Sequence, residues 1–158
     1  MKYVDVQVVF REVPDEITLA INISGCPVHC PGCHSSYLAQ DIGTPLTEES
    51  LEGLLAKSPG VTCVSFMGGD ADPSYIRTLA LSVRAVHPEL RICWYSGRGL
   101  DDAAPVLDAL DYLKVGPYVE ELGPLDWETT NQRFYRVNRE AGEVSVEDIT
   151  PVFRRKLM

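Results

Sequence analysis

Between Ile17 and Val115 the chain alternates short apolar runs with helix-like segments, and that alternation restricts the fold more than any other feature. ITLAINI (Ile17 to Ile23), VTCVSF (Val61 to Phe66), LRICWY (Leu90 to Tyr95) and DYLKV (Asp111 to Val115) read as strands rich in β-branched and aromatic residues. Between them, TEESLEGLLAK (Thr47 to Lys57) opens on a capping Thr47, with Glu48 and Glu49 in the first turn. DPSYIRTLALSVRAVH (Asp72 to His87) has Asp72 as N-cap and Pro73 at its first position, and DDAAPVLDAL (Asp101 to Leu110) reads as a shorter helix. Strands separated by helices cross over and pair in parallel, so the pattern predicts an α/β fold on a mainly parallel sheet. DVQVVF (Asp5 to Phe10) adds an earlier strand, and RFYRVN and EVSVED flank REAG (Arg139 to Gly142) as a late hairpin.

At 158 residues the length fits a single domain, residues 1–158, able to bury its own core. A net charge of −9 argues against a nucleic-acid or anionic-membrane surface, either of which needs clustered Lys and Arg. The only basic cluster is RRK (Arg154 to Lys156), which reads as a solvated tail. The opening MKYVDVQVVFREVPDE lacks the apolar core and cleavage site of a secretory signal, and no stretch is long enough to span a membrane. The expectation is a cytoplasmic protein with reduced thiols; five cysteines, an odd number, do not suggest a disulfide framework.

The loops at the strand ends are more telling. The second strand leads into GCPVHCPGCH (Gly25 to His34), and VTCVSF leads into MGGDADP (Met67 to Pro73). SGRG (Ser96 to Gly99) comes after LRICWY, and GPYVEEL (Gly116 to Leu122) after DYLKV. In a parallel α/β sheet or barrel these loops share the C-terminal edge, where ligands bind. Cysteines, glycines and carboxylates far apart in sequence are therefore expected on one rim.

The cysteine spacing is Cys26-x3-Cys30-x2-Cys33. Zinc is one reading, with His29 or His34 as a fourth ligand, although no second knuckle appears elsewhere. CPGCH also fits covalent haem attachment, and CPGC fits a redox pair, but both leave Cys26 without a role. Three inert core cysteines are the plainest alternative. The reading that employs all three thiols is a [4Fe–4S] cluster with three cysteine ligands and one open iron. Pro27, Pro31, Gly25 and Gly32 suit so short a wrapping loop. We take the open cluster as the leading reading and zinc as the second. Cys63 and Cys93 lie inside apolar strands and read as core residues.

On C-x3-C-x2-C after an early strand and GGD (Gly68 to Asp70) after a later one, the chain resembles the radical S-adenosylmethionine (SAM) superfamily. GCH (Gly32 to His34), GGDADP, GPYVEEL and NQRFYRV (Asn131 to Val137) make it most similar to the activating proteins of anaerobic ribonucleotide reductases. The resemblance runs from about Ile17 to Val137. It implies a partial (β/α) barrel, open on one side, whose cluster binds SAM at the open iron and cleaves it reductively to a 5′-deoxyadenosyl radical. Cys26, Cys30 and Cys33 would be the metal ligands. Gly68 and Gly69 would let the backbone approach the methionyl part, with Asp70 near its ammonium. Ser96 would lie near the ribose, and Asn131, with Gln132 and Arg133, would face cofactor or partner.

The implied substrate is a glycine Cα–H of the reductase, which makes the chain a glycyl-radical-activating oxidoreductase. A flavodoxin-like or other low-potential electron donor is implied with it, and neither nucleic acid nor membrane. A radical SAM enzyme acting on a different polypeptide or a small molecule is the alternative. Two positions depart from the pattern. Val115 stands where the family has Asp, beside an added Lys114, and Gly32 stands where many superfamily members have an aromatic residue.

Overall fold

The structure is a computed structural model and describes residues 1–25, 42–140 and 142–157. The cysteine loop expected to bind the cluster, with Cys26, Cys30 and Cys33, lies outside these residues. The strands are β1 (Lys2–Val9), β2 (Thr18–Ile23), β3 (Thr44–Pro45), β4 (Cys63–Met67), β5 (Arg91–Tyr95), β6 (Tyr112–Val115), β7 (Arg133–Glu140) and β8 (Glu143–Asp148). They form one open sheet in the order β3-β1-β2-β4-β5-β6-β7-β8. Helix α1 (Glu48–Ala56) precedes β4, α2 (Pro73–Val86) links β4 to β5, and α3 (Leu100–Ala103) lies between β5 and β6.

The parallel part is the centre, where β2 pairs with β4, β4 with β5 and β5 with β6. Both flanks are antiparallel: β1 with β2 and β3, β6 with β7, and β7 with β8. The sheet is thus α/β and open, but only partly parallel, which corrects the expectation of a mainly parallel one. For the two hairpins the reason is connection length. A short hairpin, as between β1 and β2 or β7 and β8, can only return antiparallel, whereas a crossover helix is needed for parallel pairing.

Strand periodicity sorts side chains between two layers. Leu19, Ile21, Val64, Phe66, Ile92 and Trp94 face the helices and pack on Leu51, Ile76, Leu79 and Val83. Full burial of each large apolar side chain there is worth roughly 1.5–3 kcal/mol, so α2 is held mainly by its apolar stripe. The opposite face carries Cys63, Cys93 and Phe134, covered by Val13 before β2 and by Ile149 and Phe153 after β8. The Phe134 ring meets Phe153 edge-on at 5.0 Å.

The caps are those that the sequence predicts. Thr47 accepts from the Ser50 N–H while the Ser50 hydroxyl accepts from the Thr47 N–H, and Asp72 accepts from the Tyr75 N–H. The segment read as one helix over Asp101–Leu110 divides instead into α3 and a 3-10 turn, Ala104–Ala109. Pro105 has no N–H to donate one turn back, so the α-helix cannot continue through it. Among the described residues no helix is long and apolar enough to cross a membrane.

Candidate functional site

The four central strands run the same way, so β2, β4, β5 and β6 all end at one edge. At the end of β2, the Ser24 N–H donates to the Lys2 carbonyl at 3.0 Å and its hydroxyl to the Ile42 carbonyl at 2.5 Å. Gly25, at φ +74°, then leads directly into Cys26. An open cavity of about 340 Å³ lies here, lined among others by Met1, Lys2, Ser24, Gly25 and Gly69. That volume is in the range of small-molecule clefts.

Beyond β4 the backbone turns through Gly68 (φ +112°) and Gly69 (φ +89°), conformations that L side chains rarely adopt. A Cβ on Gly68 would lie 3.2 Å from the Ile23 carbonyl oxygen, and one on Gly69 would lie 2.6 Å from Ile76 Cδ1. Both glycines are therefore required by the fold itself, and the same turn presents bare backbone to the cavity. Two hydrogen bonds fix it: the Gly68 N–H donates to the Tyr95 carbonyl at 3.0 Å, and Trp94 Nε1 donates to the Gly68 carbonyl at 2.7 Å.

Asp70 is 2% exposed and Ser96 1%, and the structure brings these two sequence candidates into direct contact. The Ser96 hydroxyl donates to Asp70 Oδ1 at 2.5 Å, and the Gly97 N–H donates to Oδ2 at 3.0 Å. The Arg98 N–H in turn donates to Ser96 Oγ at 3.1 Å. Asp70 thus clamps the loop after β4 to the loop after β5, a charge-assisted junction in a nearly dry place.

Lys114 extends this junction to β6. Its buried ammonium donates to the Ser96 carbonyl at 3.3 Å and the Gly116 carbonyl at 2.9 Å, and lies 5.9 Å from the centre of the Tyr95 ring. The sequence marks Lys114 only as an added charge; its binding role appears once β5 and β6 are seen as neighbours. Burial pushes the Tyr95 phenol well up from its usual value, and the phenol donates to the Glu12 carbonyl. Val115 packs in the helix-side core.

Asn131 is placed farther along. Its Nδ2 donates to the Pro117 carbonyl at 3.1 Å, while its buried Oδ1 has no hydrogen-bond partner among the described residues. Gln132 Nε2 reaches the Gly116 carbonyl at 3.4 Å, and Arg133 Nη1 donates to the Thr130 and Gln132 carbonyls. These residues hold the loop between β6 and β7, and none of the hydrogen bonds just described reaches Asp70 or Ser96.

Cys63 and Cys93 are fully buried, as core residues should be. Burial pushes both thiols up, Cys93 to about 12 and Cys63 further. Both pack beside Phe134 in the core layer opposite the helices. Among the described residues no group of three or more His, Cys, Asp or Glu could hold a metal ion. Cys26, Cys30 and Cys33, the ligands expected from the sequence, lie outside the described residues.

The chain belongs to the 4Fe-4S single cluster domain family, whose model matches residues 17–137. The match begins at the first residue before β2 and ends within β7, so it takes in the cysteine loop and all four strands of the rim. Comparison with curated proteins and with solved structures finds no match.

Proposed function

We propose that this chain is a radical SAM activase: it cleaves SAM reductively at a [4Fe–4S] cluster and generates a glycyl radical on an anaerobic ribonucleotide reductase. The observation that carries the reading is a convergence. Ser24 and Gly25, which lead into Cys26, line a cavity of about 340 Å³ together with Gly69, and the Asp70–Ser96 clamp lies at the same sheet edge. Membership of an iron–sulfur family supports the cluster, and the donor set is chemically apt: three soft thiolates in a short Pro- and Gly-rich loop.

Cys26, Cys30 and Cys33 would hold three irons and leave the fourth open. The bound group supplies one-electron reduction of a sulfonium, with the C–S cleavage and radical chemistry that no side chain can perform. The protein's task is placement. Gly69 lines the cavity, and the positive φ of Gly68 and Gly69 allows the turn that brings the chain there. Asp70 holds Ser96 and Gly97 at a fixed distance from that turn, and Lys114 ties them to β6. The open sheet leaves one side for a folded polypeptide loop to enter, which suits a protein substrate. A glycine Cα–H is a fitting target there, because the product radical lies between an amide nitrogen and a carbonyl and no side chain blocks approach.

Anaerobic reconstitution with iron and sulfide, followed by dithionite or a reduced low-potential flavodoxin, SAM and reductase, tests this. The expected results are a cluster chromophore, SAM cleavage and a glycyl radical signal in electron paramagnetic resonance. Val115 in place of the family's Asp favours one second reading, a different polypeptide or small molecule as substrate. SAM cleavage without a glycyl signal would select it.

A further inference from the structure

The long connection between β6 and β7 rises from the same edge as the candidate site, since β6 ends there at Val115 and β7 returns from Arg133. Its sequence, GPYVEELGPLDWETTNQ (Gly116 to Gln132), contains Glu120, Glu121, Asp126 and Glu128 and no Lys, Arg or His. In its middle Trp127 is 52% exposed and Leu122 37% exposed. A large aromatic so placed gains little from the fold it belongs to.

The loop is nonetheless built. The Gly123 N–H donates to the Val119 carbonyl at 3.0 Å, the Trp127 N–H to the Pro124 carbonyl at 3.0 Å, and the Thr130 N–H to the Trp127 carbonyl at 3.2 Å. The Thr129 hydroxyl donates to the Leu122 carbonyl at 2.6 Å. The indole lies against Gly123: a Cβ there would sit 2.1 Å from Trp127 Cε3, and φ at Gly123 is +83°. Glycine is needed twice over, for the turn and for the indole's approach. The result is a preordered aromatic anchor in an acidic loop, which lowers the ordering cost of binding.

We infer that the Trp127 loop is the docking surface for the polypeptide substrate, and that it takes a basic face of the partner, with an apolar or cationic side chain seated on the indole. This rests on the activase reading and adds to it where the partner binds. Charge decides between occupants. Four carboxylates in the loop, in a chain of net charge −9, repel a second copy and an anionic membrane alike, and attract Lys and Arg. Arg or Lys over a Trp face adds cation–π attraction.

The test measures binding of the reconstituted protein to the anaerobic reductase catalytic subunit, beside SAM cleavage by dithionite with no reductase present. Trp127→Ala is expected to weaken reductase binding about tenfold or more while SAM cleavage stays at the wild-type rate. Glu120→Lys/Glu121→Lys, two changes at exposed positions six and more residues before Trp127, should slow association and flatten its dependence on salt. Normal wild-type binding that neither variant weakens overturns the docking assignment and leaves the activase reading intact. Wild-type SAM cleavage with no reductase binding at all overturns both. Loss of wild-type self-association in Trp127→Ala, seen by sedimentation, would assign the patch to a second copy instead and also overturn the inference.

Discussion

Replacing Asp70 by Ala removes the acceptor from two donors at once, the Ser96 hydroxyl and the Gly97 N–H. Leaving a buried donor unpaired costs about 1–3 kcal/mol, and a charged acceptor puts the bond toward the strong end. Ser96 is almost fully buried and bears its share in full, whereas Gly97 is half-buried and regains part from water. The expected sum is about 2–4 kcal/mol. For a chain of this length each kcal/mol lowers Tm by roughly 2–4 °C, so a fall of about 4–16 °C should be seen. Asp70→Asn keeps one acceptor and should lose about 1 kcal/mol. The decisive assay is a double-mutant cycle with Ser96→Ala, read by urea denaturation under anaerobic conditions at equal cluster occupancy. Residues joined by a hydrogen bond should couple by about 0.5–3 kcal/mol. Strict additivity of Asp70→Ala and Ser96→Ala would refute the clamp, and with it the claim that the loops after β4 and β5 are fixed as one unit.

The remaining expectations concern the framework. Cys63→Ala and Cys93→Ala should each cost on the order of 1–2 kcal/mol of packing with iron content unchanged, and both thiols should resist iodoacetamide until urea unfolds the chain, by mass spectrometry. Because burial raises the Cys93 thiol from 9.0 to about 12, the folded state holds a proton that the unfolded state loses. Its contribution is therefore complete below pH 9.0 and declines by about 1.4 kcal/mol per pH unit up to about pH 12, and Cys93→Ala should flatten that slope in urea denaturation. Asp111 accepts from Arg84 at 3.0 Å, Arg139 at 2.7 Å and the Ile92 N–H at 2.9 Å, so Asp111→Ala should destabilise by about 3–5 kcal/mol, measured in the same way. Gly69→Ala meets both a positive φ and Ile76 Cδ1, and a loss of about 1–3 kcal/mol is expected, only part of which Ile76→Val should restore.

Local signals make much of this fold legible in advance. Thr47 and Asp72 are strong caps, and the apolar runs of β2, β4 and β5 leave little alternative to buried parallel strands. The rim is a consequence of that topology, since ends of parallel strands must share an edge. Hidden from the sequence are features that depend on which strands become neighbours. The β7–β8 hairpin is legible around REAG, but nothing local shows that β1 joins β2 or that β7 joins β6 in the same sheet. Lys114 reads as a departure because its bond to the Ser96 carbonyl depends on β5 and β6 being neighbours. The role of Trp94 is hidden for the same reason: its bond to Gly68 spans neighbouring strands. Asp70 and Ser96 both stand out in the sequence, but as separate ligand contacts; their mutual hydrogen bond requires knowing that β4 and β5 are adjacent.

Mössbauer spectroscopy of protein reconstituted anaerobically with iron-57, recorded with and without SAM, tests the central claim most directly. If Cys26, Cys30 and Cys33 leave one iron open, adding SAM should shift the signal of one iron in each cluster and leave the other three unchanged. An iron–sulfur spectrum that SAM does not alter, or tightly held zinc with no cluster formed, would contradict it.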